Sequence, residues 1–254
     1  MQKNNFVWAF FGTSEFSVET LNELKKNGLV PNLIVTVEDK PKGRKLIITP
    51  PETKVWAEKE GVPILQLKTL KNSDTEKTIK GAINEEFDVF VVASYGKIIP
   101  ENILNIPKYK TLNIHPSLLP KLRGASPIQS AILKENQTGV SIIRLDTEVD
   151  HGPLIAQKKI EIEWPPYASD LEKLLAKESA QLLVKILPDW VGGKLKEVVQ
   201  EHSLATFTEK INKIDAQLNM QDAPELNLRK IRAFHVWPGA FFFINGKRII
   251  VKTA

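Results

Sequence analysis

The stretch FVWAFFGTSEFSVETLNEL, residues 6–24, joins an apolar run to a helical pattern. The run Phe6–Phe11 ends at Gly12-Thr13, and apolar residues then recur at helical spacing, at Phe16, Val18, Leu21 and Leu24. A continuous apolar run is typical of a buried strand, and recurrence every three or four residues is typical of an amphipathic helix. The stretch therefore predicts a strand, a turn and a helix.

The same alternation continues beyond this stretch. Apolar runs predict extended segments at Leu33–Val37, Val62–Leu65, Val89–Ala93, Thr111–Ile114 and Val140–Leu145. Helical patterns lie between them, at Thr53–Glu60, Thr75–Asn84 and Ile128–Lys134. Strands that alternate with helices are typical of βαβ units, in which the strands pair in parallel. We therefore expect an α/β fold with a doubly wound, mostly parallel sheet.

A longer helical pattern follows the predicted sheet. Apolar residues at helical spacing predict a helix over Asp170–Leu187. A proline removes a helical hydrogen bond, so we expect the helix to stop at Pro188, and Gly192-Gly193 then marks a turn. We place the end of the main domain at this proline.

The last fifty residues predict a small β-containing segment. A helical pattern surrounds Leu226–Phe234, and the apolar runs Ala240–Ile244 and Arg248–Val251 flank Asn245-Gly246. Asn-Gly between two such runs is the strongest short-range signal of a β-hairpin. We interpret the nearby aromatic residues, Trp237 and Phe241–Phe243, as mostly hairpin core.

These changes in sequence pattern predict that the chain has three parts. They are a main domain over residues 1–188, a connector over 189–205 and a C-terminal segment over 206–254. No internal repeat or low-complexity tract is evident in any of them.

Composition restricts the classes of protein that fit. The 254 residues are 42% hydrophobic and 26% charged, which is ordinary for a soluble globular protein. The apolar runs are far shorter than the ~20 residues of a membrane span, and without cysteine there are no disulfides, so we expect a cytoplasmic protein with no membrane partner. His202 and His235 lack ligand spacing, so we expect no metal site. The net charge of +5 permits a phosphate-bearing partner.

The candidate chemistry lies in TLNIHPSLLPKLRGASPIQSAIL, residues 111–133. Asn113 and His115 are two apart on a predicted strand, so their side chains project to the same side, at the edge of the sheet where ligands bind in open α/β folds. Ser117-Leu118-Leu119 then offers free backbone N–H groups and an apolar wall, which suit a flat, partly polar ligand. In isolation, an Asn-x-His pair at a strand end is more often structural.

Asp150 supplies a carboxylate from a second stretch, LDTEVDHGPLIAQ, residues 145–157. Asp is a common turn residue for backbone reasons alone, and we interpret His151 beside it as an exposed turn residue. If Asp150 lies near His115, an amide, an imidazole and a carboxylate come together. The first two would stabilise an oxyanion, and the carboxylate would favour a charged imidazole or accept a proton through water.

Four stretches together resemble the 10-formyltetrahydrofolate-dependent formyltransferase family. They are AFFGTSEFSVETLNEL at 9–24, VVASYGKIIP at 91–100, LNIHPSLLPKLRGASPIQSAI at 112–132 and LDTEVDHGPL at 145–154. The third is highly specific, and the resemblance spans nearly the whole chain. It implies a Rossmann-like formyltransferase domain.

The resemblance also implies roles for residues. Asn113, His115 and Asp150 match the family's catalytic trio. The family's two folate-contacting loops match Ser117, Leu118, Leu119 and Pro120 on one side and Tyr95, Gly96, Lys97 and Ile98 on the pterin side. The implied formyl donor is 10-formyltetrahydrofolate, which acts as a co-substrate.

Two segments resemble, more narrowly, the family members that formylate methionyl-tRNA. DKPKGRKLIITPPETKVWAEKEGVPILQ, residues 39–66, resembles a basic insertion that contacts the acceptor arm of initiator tRNA. Its glycine and prolines favour loop structure, and its candidate tRNA contacts are Lys40, Lys42, Arg44 and Lys45. In isolation such a run is better interpreted as a solvated basic loop. The segment from residue 207 to residue 251 resembles the junction into those members' C-terminal domain.

The C-terminal segment departs from the family pattern, because the chain stops at Ala254, just after the second hairpin strand. We expect a shortened, partly OB-like C-terminal domain, and a monomer with methionyl-tRNA and folate as partners. One alternative is an N-formyltransferase that acts on an amino-sugar nucleotide with the same folate chemistry. Another is a non-catalytic RNA-binding or regulatory relative, against which the intact trio argues.

Overall fold

The chain forms thirteen short strands and seven helices within the residues that the computed structural model describes, 6–43 and 45–254. The strands are β1 (Trp8–Gly12), β2 (Leu33–Thr36), β3 (Lys40–Lys42), β4 (Ile47–Thr49), β5 (Ile64–Gln66), β6 (Val89–Ala93), β7 (Thr111–His115), β8 (Arg123–Gly124), β9 (Thr138–Arg144), β10 (Leu154–Ile160), β11 (Phe207–Thr208), β12 (Ala240–Ile244) and β13 (Lys247–Val251). The helices are α1 (Glu15–Lys26), α2 (Glu52–Glu60), α3 (Thr75–Lys80), α4 (Glu101–Leu104), α5 (Pro127–Lys134), α6 (Ala168–Val191) and α7 (Pro224–Phe234). Two short 3₁₀ helices span His202–Leu204 and Lys213–Ala216.

Seven of the strands form one sheet in the order β10-β9-β7-β6-β1-β2-β5. The five strands from β7 to β5 pair in parallel, while β9 and β10 pair antiparallel at one edge. The chain runs from β1 outward to β5 and then returns to the other side of β1 with β6. The connections therefore reverse direction between β1 and β6, the place where open α/β sheets bind ligands beyond the carboxyl ends of the strands.

Helices cover both faces of this sheet, which explains the continuous apolar runs of its central strands. Side chains such as Trp8 and Phe10 pack against α1, α2, α5 and α6 on one face. Their neighbours Ala9 and Phe11 pack with residues of α3 and α4 on the other. The expected α/β, Rossmann-like, doubly wound and mostly parallel architecture is confirmed. The antiparallel strand β10 is an addition to the strands that the apolar runs predicted.

Helix α6 is longer than its sequence pattern predicted. It continues through Pro188 to Val191, and the N–H of Gly192 donates to the Pro188 carbonyl oxygen at 2.9 Å. The predicted stop at Pro188 is therefore wrong. The proline removes one helical hydrogen bond, but a helix that is packed along its length against α1 and the sheet tolerates this loss near its end. The predicted turn at Gly192-Gly193 is confirmed.

The C-terminal hairpin forms as predicted. Strands β12 and β13 pair antiparallel, and Asn245 and Gly246 both have a positive φ, 47° and 74°, as a two-residue primed turn requires. The interpretation of the aromatic residues is only partly right. Phe241 is 5% exposed, whereas Trp237 and Phe243 are 51% and 54% exposed.

The C-terminal segment packs on the main domain through α7. The buried Arg229 guanidinium donates to the carbonyl oxygens of Ile132 and Glu135, at 3.1 and 2.7 Å, in and beside α5. Phe234 and Phe241 join the core on the α6 face of the sheet. The boundaries at 188 and 206 stay predictions. In the part of the chain that the structure describes, no helix is both long and apolar enough to cross a membrane.

The basic segment after β2 is a hairpin rather than the loop that its composition predicted. Lys40 pairs with Thr49 and Lys42 with Ile47, so that β3 and β4 form an antiparallel ladder. The glycine at the turn, Gly43, has a φ of 72°. The hairpin follows the carboxyl end of β2 and therefore projects from the same edge of the sheet as the candidate site.

Candidate active site

Asn113 and His115 stand at the carboxyl end of β7. Leu112 and Ile114 of the same strand pack in the core beneath α1 and α6, so alternation directs Asn113 and His115 to the opposite face. The two polar residues are 8% and 4% exposed. Because β7 pairs in parallel with β6, and β6 with β1, the pair lies at the shared carboxyl edge of the sheet.

Asp150 reaches this pair from the loop between β9 and β10. Its Oδ1 lies 3.3 Å from Asn113 Nδ2 and 3.5 Å from His115 Nδ1. Its Oδ2 accepts a 2.8 Å hydrogen bond from the backbone N–H of Gly124. The carboxylate faces the ring and is only 12% exposed. The structure therefore brings the three groups together from two distant stretches of sequence.

The backbone of the Asp150 loop is specialised. Asp150 has a φ of 50°, a left-handed conformation that non-glycine residues adopt rarely. Two residues later, a Cβ on Gly152 would overlap the carbonyl oxygen of Arg144 on β9. Only glycine lets the loop pack this closely, and this approach holds Asp150 over the end of β7.

The proton positions on His115 follow from its partners. Nε2 lies 2.9 Å from the carbonyl oxygen of Leu122, which can only accept, so Nε2 carries a hydrogen and donates. Nδ1 is then the nitrogen that faces Asp150, and it carries a hydrogen only when the ring is positively charged. A charged ring would place an N–H between the imidazole and the carboxylate, beside the Asn113 amide.

Gly124 holds the other carboxylate oxygen because β11 passes directly over it. The backbone N–H of Arg123 donates to the Thr206 carbonyl oxygen at 2.9 Å, and β8 and β11 pair in parallel. Gly124 has a φ of 111°, and a Cβ there would overlap the carbonyl oxygen of Thr208. This glycine therefore combines a close backbone approach with an N–H that points at Asp150.

The loop after β6 borders the same edge of the sheet. The Tyr95 ring points into the core and packs edge-on against Phe11, with ring centroids 5.5 Å apart. Burial raises the pKa of Tyr95 to about 12, so its hydroxyl stays protonated at neutral pH. The Tyr95 carbonyl oxygen accepts a 3.0 Å hydrogen bond from the Thr13 hydroxyl after β1. Gly96, with a φ of 74°, then turns the chain outward.

Lys97 and Ile98 complete this loop: the Lys97 side chain is bound within the protein, whereas the Ile98 side chain is exposed. Lys97 Nζ donates to the backbone carbonyl oxygens of Leu67 and Lys68, at 2.6 and 2.7 Å. Burial, with a further contribution from the charge of Lys40, lowers the pKa of Lys97. Ile98 is 72% exposed. Ile98 and the backbone of the loop are therefore available to a ligand. The Lys97 ammonium group fixes the loop to the segment that follows β5.

The loop after β7 is held from behind by β9 and β10. Leu119 N donates to Ser141 Oγ at 3.1 Å, and Gln157 Nε2 donates to the Leu119 carbonyl oxygen at 2.9 Å. Ser117 N donates to the His115 carbonyl oxygen at 2.9 Å. The expectation of free N–H groups at Ser117 and Leu119 is therefore wrong. Ser141 and Gln157 fix the loop, and no local pattern in the sequence indicated them.

The side chains of this loop are also hydrogen-bonded or packed within the protein. The Ser117 hydroxyl donates to the Lys121 carbonyl oxygen at 2.7 Å. Leu118 packs across Gly139, where a Cβ would strike the leucine side chain, while Leu118 and Pro120 are both half-buried. The partly exposed surface of the loop, formed by Leu118 and Pro120, is thus apolar.

The predicted tRNA contacts lie on the hairpin formed by β3 and β4. Lys40, Lys42 and Lys45 are all exposed. Lys42 forms an ion pair with Glu52 at the start of α2. Arg44, the fourth predicted contact, lies outside the described residues.

His151 is not the exposed turn residue that the sequence predicted. Its side chain is 30% exposed, and its Nδ1 lies 2.7 Å from Asp146 Oδ2. Its ring stacks on His202, with centroids 4.1 Å apart and planes 6° apart. His202 belongs to the connector, so that segment packs against the Asp150 loop instead of spanning freely.

A cavity at the end of α5 lies away from the trio. It has a volume of about 360 Å³ and is lined by residues 134–137, 159–162 and 164, at the end of α5 and the end of β10. Nothing in its lining matches the convergence of amide, imidazole and carboxylate at the end of β7. Across residues 6–43 and 45–254, no group of three or more His, Asp or Glu side chains is arranged to hold a metal ion.

The geometry supports transfer of an acyl-type group. Asn113 Nδ2 retains a second hydrogen beyond the one that faces Asp150, and a charged His115 ring would add another donor within the same cluster. Donors fixed in a nearly buried site stabilise a developing oxyanion, because they need little reorganisation. The neighbouring carboxylate can accept a proton from an attacking nucleophile.

Two family matches cover most of the chain. The formyl transferase family matches residues 4–187, and the formyl transferase C-terminal domain family matches residues 210–254. Among similar proteins, the methionyl-tRNA formyltransferase of Thermotoga neapolitana is 39% identical over 241 residues, which cover 94% of this chain and 76% of the relative. That of Sulfurihydrogenibium is 38% identical over 247 residues, which cover 96% of this chain and 78% of the relative.

Solved structures share the fold. A sugar N-formyltransferase from a Shewanella species superposes with a TM-score of 0.71 at 16% identity, covering 98% of this chain and 97% of the other. An N-formyltransferase from Helicobacter canadensis, in complex with folinic acid and dTDP-3-aminofucose, superposes with a TM-score of 0.70 at 20% identity, covering 96% of this chain and 86% of the other. At such identities the likeness concerns the fold alone.

Proposed function

The chain belongs to the formyl transferase family, and from this membership we propose that it transfers the formyl group of 10-formyltetrahydrofolate to the free α-amino group of initiator methionyl-tRNA. The single observation that carries the chemistry is the convergence of Asn113, His115 and Asp150 at the carboxyl end of β7. The choice of methionyl-tRNA as the acceptor rests on relatives at 35–39% identity that bear this activity in their names. A cytoplasmic location and a monomeric state are parts of the same proposal.

We propose separate roles for the three groups. The amine attacks the formyl carbon, a new C–N bond forms, and the carbonyl electron pair moves to the oxygen. Asn113 Nδ2 donates a hydrogen bond to this oxyanion, and the positive charge of the protonated His115 ring beside it adds electrostatic stabilisation. Asp150 keeps the imidazole charged and accepts the amine proton through water. When the oxyanion collapses, the bond to the folate nitrogen breaks, and that nitrogen takes up, through water, the proton that Asp150 had accepted from the amine.

The folate portion of the proposal rests on two loops that flank the trio. Ile98 is exposed on the loop that follows β6, and Leu118 and Pro120 present a half-buried apolar surface on the loop that follows β7. These surfaces suit a flat ring system that stacks on apolar groups. Tyr95, Lys97, Ser117 and Leu119 contribute by fixing the shape of the two loops, because their side chains are packed or hydrogen-bonded within the protein and the backbone N–H groups of Ser117 and Leu119 already have partners.

The tRNA portion of the proposal rests on the exposed lysines of the β3–β4 hairpin. Lys40, Lys42 and Lys45 project from the edge of the sheet that carries the trio. Lysine ammonium groups contact phosphates without reading base sequence. They would therefore hold the acceptor arm near the site, and Arg44 is expected to contribute in the same way.

The experiment is a direct formylation assay of the full chain. Methionyl-tRNA and a panel of amino-sugar nucleotides are each supplied with and without 10-formyltetrahydrofolate, and N-formyl product is measured. Of these acceptors, we expect only methionyl-tRNA to give N-formyl product, and only when 10-formyltetrahydrofolate is present. Product with an amino-sugar nucleotide but not with methionyl-tRNA would overturn the choice of acceptor. Folate binding without product from any acceptor would indicate a non-catalytic relative.

A further inference from the structure

Gln200 belongs to the connector between α6 and β11, yet it is 3% exposed and packs behind the Asp150 loop. Its Nε2 donates to two backbone carbonyl oxygens, that of Asp150 at 2.9 Å and that of Gly152 at 2.7 Å. One amide group therefore bridges the two residues that flank His151. We propose that Gln200 is a positioning residue, which sets the backbone of Asp150 and, through it, the carboxylate at the active site.

Arg123 fixes the orientation of the Gln200 amide. Its Nε and Nη2 lie 3.3 and 2.7 Å from Gln200 Oε1. A guanidinium group only donates, so the oxygen of the amide must face Arg123 and its NH₂ group must face the Asp150 loop. Arg123 is itself 3% exposed, and its Nη2 also lies 2.9 Å from His202 Nδ1. Arg123 and Gln200 are therefore both held in fixed orientations.

These contacts form a closed set of hydrogen bonds around Asp150. The carboxylate accepts from the N–H of Gly124, which is next to Arg123 in β8. The backbone carbonyl oxygen of Asp150 accepts from Gln200, which is bound in turn by Arg123. The front and the back of Asp150 are thus attached to the same two-residue strand, and the side chain has little freedom to turn away from His115.

This closed set of hydrogen bonds is needed because the backbone of Asp150 is in a strained conformation. A left-handed φ of 50° on a non-glycine residue persists only when the surroundings determine it strongly. Without the Nε2 donor, the two carbonyl oxygens lose their shared partner and the loop can relax to a common conformation. A displacement of the carboxylate by about 1 Å would be enough to slow a transfer reaction roughly 100-fold.

The test rests on the proposed function and uses the full chain in the formylation assay. Gln200→Met keeps the length of the side chain but removes both hydrogen-bonding atoms. We expect kcat to fall about 10- to 100-fold, with KM for methionyl-tRNA and for the folate donor changed by less than about threefold. Gln181→Met, at an exposed glutamine of α6, is the matched control and is expected to match the unsubstituted chain.

A double-mutant cycle separates positioning from general weakening of the structure. If Gln200 acts only through Asp150, then adding Gln200→Met to Asp150→Ala should cost less than about twofold in kcat. Multiplicative losses, or an unchanged kcat in Gln200→Met, would overturn the inference. Absence of formyl transfer by the unsubstituted chain would instead contradict the proposed function.

A second variant keeps the test decisive if Gln200→Met does not fold. Gln200→Glu retains an acceptor for Arg123 but cannot donate to the two carbonyl oxygens. Its circular dichroism spectrum should match that of the unsubstituted chain, and the same loss of kcat is expected with the same non-additivity toward Asp150→Ala. Full activity in a folded Gln200→Glu variant would sink the inference.

Discussion

The Asn113 side chain is tied only loosely to the protein around it. Its hydrogen bond to Asp150 is 3.3 Å long, at the weak end for an N–H···O bond. Such a bond contributes little net stability to the fold. Activity should therefore depend on the amide far more than folding does, which makes Asn113 the most informative member of the trio to remove.

Asn113→Ala should lower kcat about 100- to 1,000-fold, because one donor to the oxyanion is lost. The affinity for a folate analogue should change by less than about threefold, since the donor acts on the transition state rather than on the bound ligand. Steady-state formylation and a binding titration measure the two quantities. Asn84→Ala, at an exposed asparagine, serves as the control. An Asn113→Ala variant as active as the control would refute the assigned role.

The residues of the site differ in how far the sequence could predict them. Asn113 and His115 share one strand, so alternation alone places them on one side of it. The approach of Asp150 depends on the close backbone contacts of Gly152 with Arg144, at the start of the same loop, and of Gly124 with Thr208, which is distant in sequence. Gln200 is a single polar residue in a polar connector, and only its burial against the loop reveals a role.

At the scale of elements, the contact between α1 and α6 carries an unfavourable charge. Glu172 of α6 has a raised pKa, chiefly because burial disfavours its charge, with additional repulsion from Glu15 and Glu19 of α1. Lys173 opposes the shift only weakly. A carboxyl group whose pKa is higher in the folded state than in the unfolded state stabilises the fold most when protonated. This contribution is lost as the pH rises through the folded pKa.

Glu172→Gln should therefore raise the Tm at pH 7, where the wild-type side chain carries an unfavourable charge. The difference should vanish below about pH 4, where a glutamate is protonated in the unfolded chain as well. Thermal unfolding followed by circular dichroism between about pH 3 and pH 8 measures this difference. Glu163→Gln, at an exposed position, should leave the Tm unchanged throughout. A lower Tm for Glu172→Gln at pH 7 would contradict the prediction.

The elements themselves were predictable where burial was uniform. Val89–Ala93 matches its predicted bounds because both of its faces are covered, which leaves a continuous apolar run. Helix α6 exceeds its prediction because tertiary packing outweighs a proline in its last turn. The β3–β4 hairpin was predicted as a loop because its residues are exposed, so no hydrophobic alternation marks its strands.

For the whole molecule, the distribution of charge matters more than its sum. A net charge of +5 would attract any polyanion weakly, at every surface. The exposed lysines of the β3–β4 hairpin lie on an element that projects from the edge where β6 and β7 end. A polyanion held there would present its end to the trio. Binding that depends on these lysines, rather than on net charge, would locate the tRNA on this side of the sheet.

The triple substitution Lys40→Gln, Lys42→Gln and Lys45→Gln separates position from net charge. Each lost phosphate contact should flatten the dependence of log affinity on log salt by about 0.7 to 0.9, and the triple variant by roughly 2 to 3. The control replaces Lys173, Lys177 and Lys185, exposed on α6, with glutamine, which lowers the net charge equally, from +5 to +2. Methionyl-tRNA binding is measured between 50 and 200 mM salt, a range of about fourfold in ionic strength. Equal slopes for the two variants would show that the hairpin is not the tRNA contact, because the attraction would then follow net charge alone.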